Sequence, residues 1–123
     1  FDLLALEKLI VDHQAKLVII DPLMAFLDES VHAHNDQSVR RALMPLCQMA
    51  ERTGAAVLVV RHLNKQPGRN VIYRGGGSIG IIGAARMALM VAKDPEAPHR
   101  RLLCVSKSNL CKPGQTLRYE LVN

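Results

Sequence analysis

The chain has 123 residues, 49% hydrophobic and 22% charged, with a formal net charge of +5. That is length enough for one domain around one core, and the composition is that of an ordinary globular protein. It excludes a low-complexity or repeat architecture, and no apolar run reaches bilayer length, since Arg86 interrupts the longest one. Tryptophan is absent, so the core is built from Leu, Ile, Val, Ala and Met, and the aromatic residues Phe1, Phe26, Tyr73 and Tyr119 are scattered. Cys47, Cys104 and Cys111 are odd in number and lack zinc-type spacing, which predicts reduced thiols in a cytoplasmic protein. The positive charge permits a polyanionic partner without requiring one.

The start, Phe1-Asp2-Leu3-Leu4, has neither an initiator Met nor a basic signal region and reads as a cut within a longer protein. From Leu3 to Gln14 the apolar positions 3, 6 and 10 describe an amphipathic helix with Asp2 at its N-cap. Lys16–Asp21 follows as a strand apolar on both faces, suited to a parallel sheet covered by helices. The abrupt aspartate at its carboxyl end has two readings. It either caps a turn or lies where open α/β sheets bind their ligands, holding magnesium beside a nucleotide.

Residues 23–35 read as a loop, in which His32 and His34 are solvated polar residues rather than metal ligands. A long helix then runs from an Asn35 or Asp36 cap to Thr53. Val39, Ala42, Leu43, Leu46 and Ala50 form its buried stripe, Pro45 bends or divides it, and Gly54 ends it. Ala55–Val60 is a second apolar strand that delivers Arg61 and His62 at its carboxyl end, repeating the pattern of Asp21. His62 is either a structural residue or the second half of a shared rim.

The basic, glycine-rich stretch from Asn64 to Gly77 is either a solvated linker or a phosphate-grasping loop. A short helix over Ile79–Ala85, strands over Met87–Ala92 and Leu102–Ser106, turns at Asp94–Pro98 and Cys111–Gln115, and a closing strand over Leu117–Val122 complete the chain. This end is predicted to be antiparallel, at the sheet's edge. Gly75-Gly76-Gly77-Ser78-Ile79-Gly80 also satisfies G-x-G-x-x-G, with Asp94 downstream as the acid of a dinucleotide-binding enzyme. The context argues against it, because no firm strand precedes the glycines and Asp94 opens a proline-rich turn.

Taken in order, Leu17–Leu23, Gly54–Lys65, Arg74–Ser78, Gly83–Arg86 and Ser106–Leu110 resemble the RecA-like ATPases of the RepA-like branch, related to replicative hexameric helicases. The resemblance spans nearly the whole chain. It implies one domain over 1–123, the carboxyl-terminal part of a RecA-like P-loop NTPase core, with an α/β sheet mostly parallel and incomplete at its N-terminus. By position it makes Asp21 the Walker B residue that orders Mg2+ on the phosphates of ATP, and His62 the sensor of the γ-phosphate. Lys107 matches the basic residue that reaches a neighbouring subunit's nucleotide, although Asn109 stands where relatives often carry an arginine. Lys65, Arg69 and Arg74 fall in the loop that contacts single-stranded DNA within an oligomeric ring.

The sequence contains no G-x-x-x-x-G-K-[ST]; in the family it resembles, that motif and the strand carrying the catalytic glutamate both precede Walker B, and here Pro22 rather than an acid follows Asp21. The chain alone is therefore expected to lack ATPase activity, and its uncovered sheet to promote self-association by strand exchange. The competing readings are a non-enzymatic nucleic-acid or protein binding module on the same fold, and the dinucleotide enzyme.

Overall fold

A computed structural model of the chain describes residues 2–27, 35–62, 79–112 and 114–122. They form two compact units, Phe1–Ala84 and Ala85–Asn123.

In the first unit, α1 (Leu3–Asp12) begins where the Asp2 carboxylate accepts the Ala5 N–H at 3.0 Å, as its capping position predicts. Ile10 is buried and Leu3 and Leu6 pack against the same core. A short connection leads into β1 (Leu17–Ile20). The longer α2 (Asp36–Thr53) settles its cap on Asn35, whose side chain accepts from the backbone of Gln37 and Ser38. Gly54 terminates it at φ 67°, a left-handed conformation that costs glycine nothing.

Pro45 does not divide α2, which runs unbroken from Asp36 to Thr53. Proline removes the N–H that would bond the Arg41 carbonyl one turn earlier, and both residues are exposed, so water can take the orphaned oxygen. The buried stripe is Val39, Leu43, Leu46 and Met49. Ala42 and Ala50 are only half-buried beside it. Met49, absent from the predicted stripe, is fully buried because its long unbranched side chain reaches the core from the edge of that face.

Polar contacts join the helices of this unit. Arg52 donates twice to the Glu7 carboxylate, at 2.7 and 3.0 Å, joining α2 to α1. Asp36 accepts the Gly80 N–H at 3.1 Å at the start of α3 (Gly80–Ala84), while the Arg40 guanidinium lies over Gly83.

β1 pairs in parallel with β2 (Ala56–Val59), Leu17 opposite Ala56 through Ile20 opposite Val59. Val18, Ile20, Val57 and Val59 face the helices. On the other face Leu17, Ile19 and Leu58 are 54%, 59% and 43% exposed. The strands are thus apolar on both faces as expected, yet the described residues cover only one.

The second unit is an antiparallel sheet in the order β3 (Met87–Lys93), β4 (Arg100–Ser108), β5 (Leu117–Glu120). β4 is longer than its apolar run, because Arg100 and Arg101 pair with Glu120 and Tyr119 on β5. A bulge sits at Ala88/Leu89, where the Ser106 hydroxyl donates to the Ala88 carbonyl at 3.1 Å. Parallel pairing is confined to β1 and β2, so the described strands form two small sheets rather than one mostly parallel sheet. The reason is the connection between β3 and β4: residues 94–99 are too few for a crossover, and a short turn makes neighbours antiparallel.

Asp94 holds that turn. Its side chain is 2% exposed, one oxygen accepts the Glu96 N–H, and the other lies 2.8 Å from Arg118 Nε as a close ion contact rather than an aligned hydrogen bond. This corrects the dinucleotide reading, whose ribose-binding acid Asp94 is instead buried against an arginine. Most of the glycine motif lies outside the described residues.

Candidate functional site

The geometry at the carboxyl ends of β1 and β2 follows from their register. Ile20 and Val59 are partners, and the ladder continues one residue further, the Val60 N–H donating to the Ile20 carbonyl at 2.8 Å. β1 then stops. Across a cis Asp21–Pro22 peptide the chain turns into a single 3-10 turn (Leu23–Ala25), and the Leu23 N–H donates to the Val60 carbonyl at 2.8 Å. Leu23 is completely buried. The backbone is therefore held to the end of β2 on both sides of Asp21, and the exposed carboxylate is left at the rim.

Arg61 and His62 follow directly on the end of β2 and Val60. The two strands thus bring Asp21 and His62 to one end of one sheet. Both residues are exposed. Among the described residues no hydrogen bond or ion pair engages the Asp21 carboxylate or the His62 ring. An unclaimed carboxylate at a strand end fits a magnesium ion carried in on phosphates. Among the described residues no group of three His, Cys, Asp or Glu that could hold a metal is found.

Arg61 was not among the residues the sequence singled out. It is half-buried, and burial pushes its guanidinium below the usual arginine range. The signal for it was present in the pair of polar residues, not one, ending an apolar strand.

Lys107 lies on β4 in the second unit, where its amine donates to the Ala85 carbonyl at 2.7 Å. The adjacent Asn109 N–H bonds the Arg86 carbonyl at 3.0 Å, so this end of β4 is tied to the start of its own unit. Lys65, Arg69 and Arg74, and likewise His32 and His34, lie outside the described residues. The cysteines are unpaired, as their spacing predicts.

A family model described as an AAA domain matches residues 2–68, more than half of the 123. The chain belongs to the AAA domain family. The match contains Asp21 and His62 and the whole of β1, α2 and β2. Membership in this P-loop ATPase-like family gives the AAA domain an ATPase-related function and implies nucleotide binding, typically with Mg2+. No curated protein matches the chain. No helix among the described residues is long and apolar enough to cross a membrane.

Proposed function

We propose that this AAA domain is part of an ATP-driven, DNA-associated motor of the RepA-like, replicative-helicase branch, working in the cytoplasm as a homo-oligomer. The observation that carries the reading is the shared rim: parallel strands in register deliver an exposed carboxylate and an exposed imidazole to the same sheet end. That is where α/β sheets bind ligands.

In this reading Asp21 orients the hydrated magnesium of Mg·ATP, and His62 contacts the γ-phosphate. The ion would neutralise charge developing on the transferred phosphoryl group. Arg61, half-buried and next to His62 in the chain, adds positive potential at the end of β2. Lys107 is the candidate for reaching a neighbouring subunit's nucleotide, and Lys65, Arg69 and Arg74 for holding single-stranded DNA along the phosphate backbone.

The triphosphate also needs a cradle of backbone amides and a lysine, and these 123 residues contain no such motif. The chain by itself is therefore expected to release no phosphate from ATP. Joined to a segment that supplies both the Walker A motif and the catalytic glutamate it should hydrolyse ATP, with activity stimulated by oligo-dT and lost in Asp21→Ala. DNA binding should weaken steeply with salt, and Lys65→Ala and Arg74→Ala should each reduce the salt slope by about one. Hydrolysis by the isolated chain that disappears in Asp21→Ala would contradict this division of labour. Salt-independent binding would favour a protein-binding module on the same fold.

A further inference from the structure

The charge of this protein is not evenly spread. Residues 85–123 carry seven basic and three acidic side chains, a net of +4 in a chain whose total is +5. The acids of this unit are already engaged. Asp94 and Glu96 face Arg118, and Glu120 faces Arg100 at 3.8 Å.

The register shows where this leaves the remaining cations. Lys93 is directly opposite Arg101, and Arg101 is directly opposite Tyr119. The three form a row across β3, β4 and β5 on one face of the sheet. Arg118 and Glu120 occupy alternate positions on β5, so the ion pairs belong to the other face. Beside the row runs a second one, Val91, Leu103 and Leu117, in which Val91 and Leu117 are 53% and 60% exposed.

Like charges directly opposite each other on paired strands repel, and among the described strand positions of this face there is no acid. Arg101 is held in place, its Nη1 donating to the carbonyls of Pro98 and Arg100 at 2.9 Å each. Lys93 is exposed, and among the described residues no ion pair engages it. A held guanidinium and an exposed ammonium beside an accessible aromatic ring and a strip of aliphatic surface match single-stranded nucleic acid, whose phosphates need charge and whose bases need a flat apolar support.

We propose that the Lys93–Arg101–Tyr119 face of the antiparallel sheet binds single-stranded nucleic acid, with phosphates on Lys93 and Arg101 and a base stacked on Tyr119. This is a contact additional to the loop residues Lys65, Arg69 and Arg74 and does not depend on ATP chemistry.

The test is fluorescence anisotropy of a labelled twenty-nucleotide oligo-dT, titrated with the intact chain across a salt series. Lys93→Gln, at an exposed position, should weaken binding several-fold and lower the salt slope by about one. Tyr119→Ala should weaken it by about five- to a hundredfold at constant slope, and Tyr119→Phe, which keeps the ring, should bind like the parent. Arg74→Ala serves as the comparison, since its loss must add to that of Lys93→Gln if the contacts are separate. Unchanged affinity and slope in Lys93→Gln would overturn the proposal. So would weakening in Lys93→Gln with none in Tyr119→Ala, which would leave only a general polyanion surface. Leu117→Glu that abolishes self-association in light scattering while oligo-dT binding persists would assign the face to a second copy of the chain, and would equally overturn it.

Discussion

Leu23 is the residue whose removal tests how the rim is built. It is completely buried just after Asp21, and its N–H closes the end of β1 onto Val60. Leu23→Ala deletes the interior part of a core side chain and leaves a cavity, a change worth about 2–5 kcal/mol. The nearby helices α1 and α2 are fixed to one another by the Arg52–Glu7 contact, which limits collapse into the space and favours a figure of about 3 kcal/mol. With a urea slope of about 1.5 kcal/mol/M, the unfolding midpoint should fall by about 2 M. Equilibrium urea unfolding followed by far-UV circular dichroism reads this directly. Leu23→Met, which keeps the volume, should cost less than about 1.5 kcal/mol. Asp21→Ala, at an exposed side chain, should stay within about 0.5 kcal/mol. A loss below about 1 kcal/mol for Leu23→Ala would refute the claim that a buried anchor sets the position of Asp21. Equal losses for Leu23→Ala and Asp21→Ala would show that the carboxylate itself is structural.

Other consequences follow from single contacts. Arg118→Ala strips the cation from a buried Asp94 and should cost about 2 kcal/mol, less than the full value for a buried pair because Arg118 is half exposed; adding Asp94→Asn should recover part of it in the same unfolding assay. The Glu7 carboxyl is held below the usual glutamate range, chiefly by its hydrogen bond from Arg52. A lowered folded-state value means the pair's contribution is complete above the unfolded glutamate value and is lost as pH falls through the folded one, so acid titration should show this loss and Glu7→Gln should remove it. Gly54→Ala forces a left-handed φ of 67° on a residue with a Cβ and should cost about 1 kcal/mol in thermal unfolding. Gly83→Ala brings a Cβ against the end of the Arg40 side chain, which is flexible; the net change should lie within about 1 kcal/mol and become stabilising when Arg40 is also replaced by Ala.

Elements whose cause is local could be read from the sequence. Asp2 and Asn35 cap their helices, and Gly54 ends α2, because each acts on backbone groups within a few residues. The parallel pairing of β1 and β2 follows from their apolar runs and the helix between them, and with it comes the common rim of Asp21 and His62. Continuity through Pro45 was not legible, because it depends on which face of α2 meets water. The ends of β4 were not legible either, since Arg100 and Arg101 lie outside its apolar run and join the strand only through their partners on β5. Asp94 shows the difference most plainly. Its sequence position suits a ribose-binding acid, and only the arrival of Arg118 from a distant strand, over a carboxylate already removed from water, makes it part of the architecture. Sequence alone thus determined what short-range hydrogen bonding and hydrophobic periodicity control. Tertiary structure decided which charges are neutralised, because that depends on partners brought together from far along the chain.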